Sequence, residues 1–230
     1  MSNQDESPRR GQPLDAIQRR VLGVLIEKAK TTPAGYPMTV NAVVVGSNQK
    51  NNRDPVTDYE AFDVEKALSE LQTLGVVKEI DWVGRVPKYK HLAYEWLGVT
   101  PVELAVLTEL LLRGPQAMGE LRARAARMEP IADLAALRSI VEGLVARGLM
   151  IELTPQGRGQ IVSHNLYPSD QVAGLRAEAG RRVPGEEAGA GPPAHPARTP
   201  SPDPRAEIAE LREQIAALAA RIESLESRSS

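Results

Sequence analysis

The amino-acid sequence predicts an α+β fold that is mainly α: two tandem winged-helix domains, a Pro-rich linker and a short carboxy-terminal coiled-coil helix. Three observations predict it. A pattern of Gly75, Gly84-Arg85 and His91 recurs 73 residues later as Gly148, Gly157-Arg158 and His164, so one structural unit occurs twice. In each copy an amphipathic helix ends at a Gly. A short β-branched strand, a Gly-Arg turn and a returning strand with the His follow, which is the second half of a winged helix. Near the carboxy terminus Ile208, Leu211, Ile215, Leu218, Ile222 and Leu225 alternate spacings of three and four residues, the repeat of a coiled coil.

Residues 1–13 are polar and expected to be disordered. The first domain is assigned to residues 14–97. Asp15, with Gln18 three residues on, forms a capping box for a helix whose apolar face is Ile17, Val21, Leu22, Leu25 and Ile26. Pro33 and Pro37 end it. Residues 39–47 are ambiguous: the β-branched run favours a strand, whereas Thr39 is a good helix cap. The winged-helix order selects a short helix. After a polar loop over 48–58, Val64, Ala67, Leu68, Leu71 and Leu74 recur at helical spacing up to Gly75, a residue suited to the left-handed helix end. Residues 76–82 and 86–92 form the hairpin.

The second domain is assigned to residues 98–168. Thr100, Pro101 and Glu103 supply cap, first-turn proline and capping-box acid in order, and this helix runs to Arg113-Gly114-Pro115. Helices over 118–127 and 133–147 and a hairpin of 150–153 with 161–166 complete the unit. Residues 169–205 are read as a flexible Pro/Gly/Ala-rich linker, since 183–205 holds seven of the 18 prolines and cannot pack. Residues 206–228 are the coiled-coil helix. Its alternation of Ile and Leu core positions favours a parallel homodimer.

Composition narrows the function classes. With 42% hydrophobic but only 3% aromatic residues, the cores must be aliphatic. The absence of cysteine excludes disulfides, zinc fingers, iron–sulfur ligation and thiol nucleophiles. Apolar runs such as Val43-Val44-Val45 fall far short of the ~20 residues that span a bilayer, and the polar amino terminus lacks a signal-peptide pattern. A cytoplasmic protein without membrane contact is expected. No Gly-rich phosphate loop, Ser-His-Asp order or paired-carboxylate motif is present, so a non-enzymatic protein without cofactor or metal is expected. Residues 14–97 carry eleven basic and eleven acidic side chains, and residues 98–168 carry seven of each. Such neutral units lack the cation surplus of a general DNA-coating protein, so binding must come from local clusters.

Three groups of residues are the candidates. Lys50, Asn51, Asn52 and Arg53 stand in the loop between second and third helices, where amides and guanidinium groups suit base edges or phosphates. This reading expects Lys50, Asn52 and Arg53 to face solvent or a ligand. The competing arrangement is a loop that satisfies its own backbone, or pins the two units together through internal hydrogen bonds. Arg113, Arg122, Arg124 and Arg127 form the densest basic cluster, for which pairing with Glu109, Glu120 and Glu129 is the alternative. Arg85 and Arg158 sit at the two hairpin tips, where an Arg can enter a minor groove or clamp a phosphate, and Lys88 and Lys90 extend the first. The third helix of the first unit leaves Glu65 and Glu70 off its apolar stripe, which suits a phosphate-lined groove poorly. His91 and His164 read as a matched structural pair.

The chain also resembles a known family. Glu27-Lys28 with Thr31-Thr32-Pro33, Tyr36-Pro37, Asn41, Asn48-Gln49-Lys50 and Asn52-Arg53-Asp54-Pro55-Val56 carry the match in the first unit. Gly84-Arg85-Val86, Lys88-Tyr89 and His91 continue it. In the second unit it rests on Leu110-Leu111-Leu112-Arg113-Gly114, Gly119-Glu120-Leu121-Arg122 and Arg124-Ala125-Ala126-Arg127-Met128. Together these resemble the YceH-like bacterial proteins, which implies tandem winged helices and supplies no reaction. Met118 departs from the family, which usually has a small or capping residue there. The expected function is nucleic-acid binding with a regulatory role; the alternative is a scaffold that uses its winged helices to bind a partner protein.

Overall fold

Helix α1 (Ala16–Thr31) begins at the predicted capping box, with Gln18 N–H donating to the Asp15 carboxylate at 2.8 Å and Asp15 N–H to the Gln18 side chain at 3.0 Å. Residues Arg20 through Glu27 are then buried without a break, because helices from both halves of the chain pack around α1. The computed structural model describes residues 11–80 and 86–182. It is a mainly helical α+β body with two small, separate antiparallel sheets.

The ambiguous stretch after Met38 is a helix, α2 (Val40–Ser47), capped by the Thr39 hydroxyl. Burial of Val43 against its neighbours outweighs the β-branched propensity. Helix α3 (Ala61–Thr73) buries Val64, Ala67, Leu68 and Leu71 and leads into β1 (Val77–Ile80), which pairs antiparallel with β2 (Lys88–His91). Met38 bridges Tyr89 on the other edge of β2. A short helix not expected from the sequence, α4 (Ala93–Leu97), follows where the returning strand was to end, and buries Ala93, Trp96 and Leu97.

Helix α5 (Pro101–Arg113) begins at the predicted Thr100–Glu103 box and is buried from Leu104 to Leu112. Then come β3 (Gln116–Ala117), α6 (Met118–Ala125), α7 (Leu134–Ala146), β4 (Met150–Glu152) and β5 (Ile161–His164), with sheet order β3-β5-β4. The element order helix, helix, helix, hairpin thus occurs twice, compatible with winged-helix-like units.

The 73-residue offset extends to individual bonds. Gly75 and Gly148 take φ +72° and +71°, the left-handed region that glycine enters without a Cβ penalty. After them, Val76 N–H donates to Leu71 O at 3.0 Å and Leu149 N–H to Leu144 O at 2.9 Å. Leu92 N–H reaches Val76 O at 2.7 Å, as Asn165 N–H reaches Leu149 O at 2.8 Å.

The two halves share one apolar core in which residues of α1, α3, α5 and α7 are continuous. Helices α1 and α5 approach closely at Gly23, where an added Cβ would lie 2.9 Å from the Leu112 side chain.

Residues 169–182, predicted as linker, instead form helix α8 (Ser169–Arg182). The linker signal begins only with Pro184, and the preceding stretch is free of proline and rich in Ala and Arg, which favour helix. Ala179 is buried in a small cluster with Leu153 and Ile161, against which Leu175 packs. The rest of the predicted linker, the coiled-coil positions from Ile208 to Leu225 and the wing residue Arg85 lie outside the described residues.

Candidate interaction surfaces

The loop after α2 differs from the sequence expectation. Arg53 was expected to face solvent or a ligand, yet it is 5% exposed. Its Nη2 donates to Glu27 Oε2 at 2.6 Å and to Gln49 Oε1 at 3.1 Å, its Nε to Gly46 O at 2.9 Å, and its Nη1 to Asn52 O at 2.8 Å. The cause is convergence: the carboxylate of α1 and a carbonyl near the carboxy-terminal end of α2 meet at one point, and a planar guanidinium satisfies both at once. No donor geometry is left for a phosphate or base.

The neighbouring residues join the halves. Asn52, at φ +61°, is half-buried and accepts from Arg113 Nη2 at 2.7 Å. The Asp54 N–H donates to Leu112 O at 3.1 Å, and Asn48 closes the loop on the backbone of Tyr59. Lys50 and Asn51 are exposed. They face a cleft of about 410 Å³ lined also by Glu27, Lys28 and Arg127.

The arginine cluster is largely committed to internal partners. Arg113 Nε lies 3.2 Å and Arg127 Nη2 3.4 Å from the two oxygens of Glu109, which is fully buried. The Arg113 contact is ionic without hydrogen-bond alignment. Burial pushes the Glu109 carboxyl pKa upward, and Arg113 and Arg127 oppose this. Arg124 pairs with Glu120 at 2.5 Å and donates to Gln116 Oε1 at 3.0 Å, while Arg122 donates to Ile131 O at 3.4 Å. Glu129 pairs instead with Lys30, at 2.6 Å. The pairing alternative therefore holds for Glu109 and Glu120.

Among the other candidates, Arg158 is exposed in the second hairpin turn, and Lys88 and Lys90 are half-buried on β2. His91 accepts from Ala93 N–H and tilts against Tyr94, just as His164 accepts from Leu166 N–H and stacks on Tyr167 at 4.1 Å. Burial lowers both pKa values, that of His91 to about 4 and that of His164 well below the usual value. Both rings are neutral near pH 7, with Nδ1 as acceptor. Among the described residues no three His, Asp or Glu side chains converge as a metal site, and no helix is long and apolar enough to cross a membrane.

Two helix faces point outward. On α3, Phe62 is 72% exposed and shares its face with Glu65, Lys66 and Ser69, all exposed. It is the chain's single Phe, and the sequence reading missed it. The available signal was its position opposite Val64 on the helical wheel. Val45 on the adjoining α2 and Val56 in the following loop are also more than half exposed. On α7, Leu134, Ala135, Arg138, Ser139 and Glu142 line a shallow groove.

Residues 14–160 match the family described as "Protein of unknown function, DUF480". A UPF0502 protein of Rhodopirellula baltica is 50% identical over 165 residues, covering 72% of this chain and 68% of the relative. One from Geobacter sulfurreducens is 49% identical over 134 residues, 58% of this chain and 61% of the relative. One from Xanthomonas campestris is 40% identical over 214 residues, 92% and 95% of the respective chains. With its matched stretch containing the buried Glu27–Arg53 pair and the Asn52–Arg113 junction, the chain belongs to the DUF480/UPF0502 family of bacterial proteins, consistent with the YceH-like resemblance of its motifs.

Proposed function

We propose that this chain is a non-catalytic tandem winged-helix protein that binds a partner protein through the outward face of α3. The observation that carries the reading is Phe62, a large apolar side chain left 72% in water on the helix that a winged helix uses for recognition. An exposed aromatic on a helix face is the kind of anchor that protein interfaces bury, and Val45 and Val56 are further exposed apolar side chains of the same half. Glu65 on the same face disfavours a phosphate groove, and Arg53, Arg113, Arg124 and Arg127 are each already paired with a carboxylate. The cytoplasm is the proposed compartment. Self-association through Ile208, Leu211, Ile215, Leu218, Ile222 and Leu225 would present two such faces on one homodimer.

A second reading rests on the other half. The exposed Arg138 on α7 and the exposed Arg158 at the hairpin turn are cations that suit nucleic acid. The two readings separate by binding assays on the full chain: affinity for random-sequence duplex DNA against salt, and partner capture before and after nuclease treatment. The protein-docking reading expects Phe62→Glu to abolish a nuclease-resistant interaction and leave any DNA affinity unchanged. Loss of all capture on nuclease treatment, with DNA affinity reduced by Arg138→Ala and Arg158→Ala, overturns it in favour of nucleic acid.

A further inference from the structure

A cavity of about 300 Å³ lies between α1, the segment around Pro55, the end of α5, the end of β5 and α8. Its lining combines apolar residues, including Leu110, Leu111 and Leu175, with Tyr167 and three arginines, Arg19, Arg20 and Arg113. That volume falls at the small end of organic-ligand pockets, and apolar walls with a few convergent charges are their usual construction.

The charges in this cavity are incompletely answered. Arg20 is 4% exposed. It donates to Ser47 O at 2.9 Å, to Pro55 O at 2.7 Å and to the Thr57 hydroxyl at 3.3 Å, all uncharged acceptors, and its buried Nε has no hydrogen-bond partner. Arg19 donates to Leu14 O at 2.5 Å and Gln171 Oε1 at 3.2 Å, also uncharged, and its guanidinium lies 4.5 Å over the Tyr167 ring. Arg113 is the one of the three with a carboxylate, Glu109. Two further acids, Asp54 and Glu178, line the cavity but are exposed to water, which screens them. Burial pulls the pKa of both Arg19 and Arg20 downward, only partly opposed by Asp15 at Arg19 and by Asp54 and Glu27 at Arg20, where Arg53 adds to the fall.

We infer that this cavity binds a small organic carboxylate, its anionic group meeting Arg19 and Arg20 and its apolar body packing between Leu110, Leu111 and Leu175. A carboxylate presents two coplanar oxygens to the guanidinium fork and supplies the charge that the carbonyl acceptors lack. Because α8 forms one wall and Gln171 already holds Arg19, a bound ligand ties α8 to α1 and α5. The inference is independent of the partner-docking reading, since none of these residues lies on the α3 face.

The test uses the full chain and three probes: benzoate, benzyl alcohol as its neutral counterpart, and inorganic phosphate at matched ionic strength. Calorimetric titration and amide hydrogen exchange of α8 are the readouts. Saturable benzoate binding that slows exchange in α8 is expected, with benzyl alcohol at least tenfold weaker, as loss of charged hydrogen bonds implies. Arg19→Gln should weaken benzoate about tenfold or more by the same argument. Leu175→Trp, which fills the apolar end without touching the charges, should also weaken it, provided circular dichroism shows both variants folded. Absence of saturable binding overturns the inference. So does benzoate binding unchanged in both variants, or phosphate binding as tightly as benzoate, which would leave the apolar wall without a role.

Discussion

Arg113, the last residue of α5, donates from Nη2 to the Oδ1 of Asn52 at 2.7 Å, so the polar loop of the first half is fastened to the first helix of the second. Asn52 holds φ +61° to do so, a conformation in which Asn is among the few tolerated side chains. Two substitutions separate the backbone from the bond. Asn52→Gly keeps the backbone unstrained and loses the charge-assisted hydrogen bond, for an expected loss of about 1.5–3 kcal/mol. Asn52→Ala should lose about 1 kcal/mol more, from the left-handed strain. Urea unfolding of both variants measures the difference, and equal stabilities would remove strain from the account.

Breaking the Glu27–Arg53 pair leaves one buried charge without its counterpart. Glu27→Leu or Arg53→Met alone is expected to cost about 3–5 kcal/mol, while the double substitution Glu27→Leu with Arg53→Met should cost clearly less than the sum. A double-mutant cycle in urea reads the coupling. Additive losses would mean that the Gly46 and Asn52 carbonyl contacts, rather than the ion pair, hold the loop.

The repeat predicts matched energetics at its two helix ends. Gly75→Ala and Gly148→Ala meet nothing within 4 Å of the added Cβ, so each should lose only the conformational term, about 1–2 kcal/mol. Thermal unfolding of both variants should show similar losses. A large cost at one site alone would break the equivalence of the two halves.

Acid should destabilise the body through its histidines. Burial lowers the His91 pKa from 6.5 to about 4, with Glu95 opposing and Lys30 and Lys90 assisting, and Tyr36 and Tyr94 packed on its ring. The unfolded state therefore binds a proton that the folded state refuses between these two values. Stability should fall as pH drops from about 6.5 to about 4 and then level off, by up to about 3 kcal/mol for His91. His164 adds in the same direction. Urea midpoints against pH should show this slope, and His91→Gln should flatten it; a slope unchanged in that variant would assign the acid sensitivity elsewhere.

Caps and glycines made much of the architecture legible. Asp15–Gln18, Thr100–Glu103, Gly75 and Gly148 are local devices, and each sits where the sequence placed it. Tertiary events were less visible. Nothing near Arg53 in sequence announces that Glu27, 26 residues away, takes its charge, so a loop of amides and cations read as a ligand surface. Strand β3 is two residues long and exists only because β5 supplies its partner. Helix α8 was hidden by the prolines that follow it, and Phe62 by its place opposite the apolar stripe, where helical periodicity carries no signal.

Photocrosslinking at position 62 tests the proposed function most directly. With a benzophenone amino acid in place of Phe62 in the full chain, irradiation in cells followed by nuclease treatment should give a discrete protein–protein adduct of defined mass. The same group placed at Arg138 should not reproduce that adduct. No adduct at position 62, together with nuclease-sensitive adducts at Arg138 and Arg158, would contradict the partner-protein account and move the interaction surface to the second half of the molecule.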